Sequence, residues 1–370
     1  MNLLILDTAF NPVGIIDAFK SMIWVDRYQE AGDFELYVPA SAKMINLLRI
    51  DYYIWFNDSD HTMIIEDLEL SSDVEQGNFI IVTGRSLESI LDRRIVWKQT
   101  NLKGNFQDKI QKLLNDNIMN PMKDQNHPDL ERKIENFKFD PTDDEYICNL
   151  KIDTQYTGDN IYDVITTNCK ENNIGFKIVL SDDNKFVFSL YKGLDRSYGQ
   201  LTNPYVSFSP QLENIINSNF YTSKANLKTV TLVSGEGEGA SRKTTVVGGG
   251  SGLERRELFS DARDISSDTE TGTLSDTEYL TLLKSRGLKN LAEYTTKEAF
   301  EGEVNTTNLF KYGVDFFIGD VVQIANEYGN EGVAYISEII YSISDDGITV
   351  YPTFKVISKE GQSDGENTNI

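Results

Sequence analysis

The stretch MIWVDRYQEAGDFELYV, residues 22–38, decides the reading of the chain, because it scans as two strands meeting at a glycine turn. Trp24 and Tyr28 bracket the charged pair Asp26 and Arg27. After Gly32, the residues Phe34, Leu36 and Val38 alternate with Asp33, Glu35 and Tyr37. A period of two is the mark of a half-buried strand. Pro39 has no amide proton to give a ladder, so the strand should end there or run at a sheet edge. The stretch therefore predicts a hairpin with aromatic anchors, Trp24 and Phe34 lying on faces set by that period.

Working outward, the same signals recur. Residues 3–6 and 13–16 are short apolar runs around Asn11-Pro12, which predicts a preceding hairpin. Ser41 should cap a short helix that buries Met44, Leu47 and Leu48. Residues 52–56, 62–70 and 79–82 read as strands, with turns at 57–60 and 76–78, and a helix should follow from Ser86 through Leu87, Ile90 and Leu91. Beyond residue 100 the pattern mixes. Helices are expected around Phe106, Ile110, Leu113 and Leu114 (capped by Asn105) and around Ile161, Val164, Ile165 and Cys169. Residues 115–144 read as a long polar loop, and residues 175–180 and 185–191 as a hairpin. Residues 205–208 and 229–233 are strand candidates, 212–220 are ambiguous, and the glycine-rich 235–265 reads as a surface loop. Ser275 and Glu278 form a capping box for a helix to about Tyr294, where Gly287 implies a close packing contact or a break. Residues 316–318, 321–325, 333–343 and 348–354 return to strand period, with turns at 319–320, 328–330 and 345–347.

Bulk properties narrow the function classes. The 370 residues suffice for two or three domains, and 58 acidic against 35 basic side chains give a net charge of −23. An acidic surface of this kind releases no counterions from phosphates, which argues against stable nucleic-acid binding. No run approaches the roughly 18 consecutive apolar residues of a membrane span. The N-terminus has no basic region ahead of its apolar run and no small-residue cleavage site, so the expected place of synthesis is the cytoplasm. Cys148 and Cys169 have neither disulfide-framework nor CxxC spacing. His61 and His127 belong to no visible triad or metal motif, the glycine-rich run lacks the phosphate-loop pattern, and scattered carboxylates do not identify a hydrolase. The sequence assigns no catalytic residue, no cofactor and no metal.

Three ordered stretches carry a resemblance. The run W-x-D-R-Y-x-E-x-G-D-F-E-L-x-x-P, from Trp24 to Pro39, resembles the opening of the baseplate hub, or tail-associated, proteins of long-tailed bacteriophages. Gly235–Gly239 with Arg242, followed by Gly252, Leu253, Arg255, Arg256, Glu257, Asp261, Ala262, Arg263 and Asp264, resembles the segment that links one barrel of those proteins to the next. DFFIGDV, residues 315–321, looks like the start of their second barrel.

The resemblance implies an α+β, β-rich protein with two small antiparallel β-barrels, an inserted mixed α/β domain and connecting helices. The expected divisions are a first barrel at 1–100, completed by 201–233, and an insertion at 101–200. A glycine-rich loop and helical connection at 234–303, a second barrel at 304–357 and a disordered tail at 358–370 follow. The implied function is a virion structural protein assembled in the bacterial cytoplasm, a homotrimeric hub that closes the tail tube and adapts its six-fold symmetry to a three-fold tip. Its implied partners are further copies of itself, the tail-tube ring, the tape-measure protein and tail fibre or receptor-binding proteins. Some relatives carry a cell-wall hydrolase behind the hub, and the expectation here is a short form without it. Expected interface residues are Trp24, Arg27, Tyr28, Gly32, Phe34, Arg255, Arg256, Asp261 and Arg263. The arginines read either as solvated ion pairs or as pairs across a subunit boundary. The rival readings are a peptidoglycan hydrolase and a carbohydrate- or receptor-binding module built on aromatic platforms.

Overall fold

The computed structural model describes residues 2–73, 77–269, 272–304, 309–328, 331–345 and 347–357. The chain divides into two compact units, one of residues 1–192, 228–295 and 340–349 and one of residues 193–227, 296–339 and 350–370. The expected tail at 358–370 and the turn residues 76, 329, 330 and 346 lie outside the described residues.

In the first unit, residues 22–38 form the expected hairpin. Strand Ser21–Arg27 pairs antiparallel with Asp33–Pro39, and Trp24 sits opposite Phe34. Phe34, Leu36 and Val38 are buried and the strand stops at Pro39, as alternation and the missing donor require. Asp33–Pro39 pairs onward with Gly77–Ser86, which pairs with Thr62–Asp73, then Tyr53–Phe56, Leu3–Leu6 and Pro12–Ile16. Ser41 caps the short helix Ala42–Leu47 by accepting from the Met44 amide. Leu87–Arg93 is helical as expected but wound as a tighter 3₁₀ turn, with Leu87, Ile90 and Leu91 buried.

The insertion holds the helices Phe106–Leu114 and Ile161–Glu171, with Asn105 and Asn160 as side-chain caps. The hairpin Gly175–Leu180 with Phe186–Tyr191 turns at Asn184, whose positive φ of 58° an asparagine tolerates. The polar loop expected at 115–144 is interrupted. Phe137–Asp140 adds a parallel strand beside Phe186–Tyr191, since Phe137 and Phe139 alternate onto the core and Phe139 stacks on Phe188 at 5.6 Å.

The glycine-rich stretch also differs from expectation. Thr244–Gly248 and Glu257–Asp261 flank Val230–Ser234 in a three-stranded sheet, because the β-branched and aromatic residues between the glycines pair while Gly237, Gly239, Gly248, Gly250 and Gly252 take the positive-φ turns. Helix Asp276–Ala292 carries the capping box of Ser275 and Glu278 and packs on this sheet at Gly287. A Cβ there would lie 2.6 Å from Val233 and 2.8 Å from Val247.

In the second unit, Val321–Ala325 is bordered by Glu331–Ser344 and Ser207–Phe208, and Ile215–Ser223 pairs with Lys297–Val304. Phe208 gathers Phe316, Phe354 and Phe310 at 5.4, 5.0 and 5.9 Å. A buried ion pair fixes the turn at 319–320. Asp320 meets Arg196 at 2.6 Å and accepts from the Leu194 and Phe317 amides. The expected strand at 316–318 is absent, as the chain there makes one bridge between Tyr312 and Phe316 and then turns at Gly319.

The protein is β-rich with helices between its sheets, yet no described sheet closes into a barrel. Pro12–Ile16 has Leu3–Leu6 as its one neighbour in the first unit's ladder. In the second unit, Ser207–Phe208 and Ile215–Ser223 are not paired with each other. A closed barrel needs every edge strand to find a partner.

Candidate functional site

The central hairpin builds the best-defined constellation in the chain. Period two puts Met22, Trp24 and Asp26 on the same inward face, and all three are buried. Trp24 packs against Phe34 at 6.0 Å and edge-on to Phe56 at 5.4 Å, and Phe56 meets Tyr341. Its indole Nε1 donates to Asp26 at 2.9 Å, and the Ser59 hydroxyl donates to the same carboxylate at 2.8–2.9 Å.

Beside it, His61 Nδ1 stands 3.1 Å from Glu88 Oε1, both out of contact with solvent. Glu88 Oε1 also accepts from the Ile178 amide at 2.7 Å. The His61 contact is a charge pairing. Burial would push the imidazole down, but the Glu88 and Asp26 carboxylates overcome it and raise the group to about 9. Burial likewise opposes ionisation of Glu88. The His61 charge and the hydrogen bonds from Ser86 and the Ile178 amide reverse that and hold Glu88 below the usual carboxylate range. Asp26 lies above its usual value because burial outweighs His61, Ser59 and Trp24. A buried imidazolium between two carboxylates, closed to solvent, can lock strands together but cannot reach a substrate.

The turn of the hairpin is equally enclosed. Arg27 bridges Asp33 at 2.7 Å and the Ala31 carbonyl at 2.9 Å, fastening the turn across its base. Tyr28 is buried, donates to the Asn173 carbonyl at 3.1 Å and meets the Tyr191 ring edge-on. The Ala31 amide donates to the Tyr162 hydroxyl at 2.9 Å. At Gly32 a Cβ would stand 2.1 Å from the Val25 carbonyl oxygen, and its amide donates to Ser86 Oγ at 2.8 Å. Trp24, Arg27, Tyr28, Gly32 and Phe34 thus lie along one enclosed hairpin, and it is Tyr28, with the Ala31 amide, that reaches the insertion.

The basic stretch lies elsewhere in the same unit, and its charges pair locally. Arg255 meets Glu257 at 2.6 Å, while Arg263 and Arg242 share Asp261 at 2.6 and 2.7 Å. The Arg263 hydrogen bond is the main reason Asp261 sits at about 2. Arg256 enters through its backbone amide, which donates to Thr229 Oγ1. Between these arginines, Val246, Leu232 and Phe259 face one another across the three strands and remain 56, 44 and 57% exposed.

Sequence reading passed over the Asp26, His61 and Glu88 cluster. Its one signal was Asp26 itself, a carboxylate at an inward position of an alternating strand, which burial obliges to find partners. Among the described residues no group of His, Cys, Asp and Glu could hold a metal ion, and no helix is long and apolar enough to cross a membrane. Both cysteines are free, Cys148 exposed and Cys169 buried.

The family model for "Siphovirus ReqiPepy6 Gp37-like protein" matches residues 2–354. No curated protein matches the chain. Among solved structures, a 43 kDa tail protein of prophage MuSo2 from Shewanella oneidensis is similar at 12% identity and a TM-score of 0.56, over 96% of this chain and 98% of that one. A tail protein from Neisseria meningitidis MC58 is similar at 14% identity and a TM-score of 0.52, over 95% of both chains. Prophage tail protein gp18 from Listeria monocytogenes EGD-e gives 13% identity and a TM-score of 0.52, over 98% of this chain and 96% of that one. At these identities the likeness shows a shared fold. With the family model spanning nearly its whole length, the chain belongs to the siphovirus ReqiPepy6 Gp37-like family.

Proposed function

We propose that the chain is a structural, non-catalytic component of the virion, a homotrimeric hub that closes the distal end of the tail tube. The observation that carries this reading is the family match over residues 2–354, joined to a fold shared along almost the full length of other tail proteins. In this reading the strands of 1–100 with 201–233, and those of 304–357, are two barrel-like modules. Their open edges would be completed by neighbouring subunits, which edge strands favour. Three chains with two such modules each would offer six surfaces to a six-fold tube. The insertion at 101–200 and the connection at 234–303 would hold the modules in register. The partners would be the tube ring, the tape-measure protein and fibre or receptor-binding proteins.

The subunit contact in this proposal runs over the outer face of the sheet formed by Val230–Ser234, Thr244–Gly248 and Glu257–Asp261. Its apolar row of Val246, Leu232 and Phe259 has Arg242 over the Phe259 ring, and the ion pairs of Arg242 and Arg263 with Asp261 and of Arg255 with Glu257 leave this sheet near neutral in a chain of net charge −23. A near-neutral apolar row lets a second copy approach without the like-charge repulsion that the net charge imposes elsewhere. Native mass measurement of wild type and Phe259→Glu, alone and with the purified tube ring, tests the contact. Trimeric wild type with a monomeric, folded variant supports the reading, and a monomeric wild type under both conditions ends it.

A further inference from the structure

The insertion contains a cleft of about 380 Å³ at the junction of the segment 97–101, the helix Phe106–Leu114 with its continuation Asn115–Met119, and the returning chain at Arg132. We propose that this cleft binds a saccharide carrying a carboxylate or phosphate group. The inference goes beyond the assembly role and does not depend on it.

The walls are fixed in advance. Asn117 is buried, and its Oδ1 accepts from the Trp97 amide at 3.1 Å and from Arg132 Nη2 at 3.3 Å, while its Nδ2 donates to the Leu113 carbonyl. Arg132 Nη2 also donates to the Ile95 carbonyl at 3.0 Å, and Arg94 holds the Arg132 carbonyl at 2.8 Å. The Arg132 guanidinium lies 4.9 Å from the Trp97 ring centroid. Trp97 nevertheless stays 61% exposed, an indole anchored through its backbone and open along the cleft. Pre-organised walls of this kind lower the ordering cost of binding, and the volume falls in the range of small-ligand sites.

The polar groups left over define the ligand. Lys98 Nζ, Arg132 Nε and Nη1 and Asn101 Nδ2 are donors without a protein acceptor among the described residues. Gln99 Oε1 and Asn120 Oδ1 are acceptors without a protein donor among the described residues, while their amide nitrogens donate to the Asp268 carbonyl and to Asn115 Oδ1. A bare anion would be served by donors alone. Acceptors interleaved with donors suit hydroxyl groups, which give and take hydrogen bonds, beside an indole that can carry the C–H face of a sugar ring.

The acidic group follows from charge. Lys112 is neutralised by Asp116 inside the cleft. Lys98 and Arg132 have no carboxylate within 4.0 Å among the described residues, although Asp124 and Asp129 act on them from farther away. Two unpaired cations in a chain of net charge −23 are a local attraction for a carboxylate or phosphate.

The test is titration of the full chain with glucuronate, glucose 1-phosphate, glucose, inorganic phosphate and adenosine monophosphate, read by saturation-transfer NMR and calorimetry. Both acidic sugars should bind more tightly than glucose, and their order distinguishes a uronate source from a phosphate source. Trp97→Ala should weaken every sugar at least tenfold, and Lys98→Ala should remove the preference for the acidic sugars. Thermal unfolding should be unchanged in both variants, because the side chains are exposed. Absence of sugar binding, adenosine monophosphate binding above both sugars, or inorganic phosphate competing as well as glucose 1-phosphate would each overturn the assignment.

Discussion

Replacing Trp24 tests whether the central hairpin is held by its inward face. Trp24→Ala removes a fully buried indole from Phe34 and Phe56, which for a core aromatic costs about 3–5 kcal/mol. It also removes one of two side-chain donors to the buried Asp26 carboxylate, and an unmet charged acceptor costs on the order of 1–3 kcal/mol more. Trp24→Phe keeps most of the packing and loses the donor, so it should show mainly the second effect. Stability of ordinary domains is about 5–15 kcal/mol, so the alanine variant should leave the first unit marginal and the phenylalanine variant folded but weakened. Urea unfolding followed by far-UV circular dichroism reads both without relying on tryptophan fluorescence. Midpoints unchanged in both variants would refute the reasoning and move the organising stretch elsewhere.

Further outcomes follow from single contacts. Gly32→Ala must move the Val25 carbonyl from 2.1 Å, so it should cost about 3 kcal/mol in urea unfolding, as overpacking against backbone does, whereas Gly249→Ala, with open space around it and no positive φ, should cost far less. His61 is raised in the fold from 6.5 to about 9, so its contribution is fully present below pH 6.5 and lost as pH rises through about 9. Urea midpoints for the first unit should therefore fall across that window, and a flat profile would count against the buried imidazolium. Asp320→Asn strands the buried Arg196 charge and should destabilise the second unit by about 3–5 kcal/mol, seen as early hydrogen exchange in strand Val321–Ala325.

Much of this fold was legible because local chemistry and tertiary packing agree. The hairpin at 22–38, the caps at Ser41, Asn105 and Ser275, and the close contact at Gly287 each follow from a residue type whose physical role is unambiguous. The glycine-rich segment misled for the opposite reason. Its turns dominate the composition, while Thr244–Gly248 and Glu257–Asp261 become strands only because Val230–Ser234 lies between them. Phe137–Asp140 has two alternating aromatics, too short a signal to outweigh the surrounding prolines until Phe188 supplies a stacking partner.

Sites were less legible. The partners of Asp26 lie 33 to 62 positions away at Ser59, His61 and Glu88, and no spacing rule links them. The cleft at Trp97 likewise depends on Arg132 returning across a long polar connection.

The most direct test of the account is the number of copies of this chain at the tip of an assembled tail, read from electron cryomicroscopy. Three copies related by a three-fold axis, each in contact with the distal tube ring, are the predicted result. A single copy, or six copies that simply continue the tube, would contradict the trimeric hub.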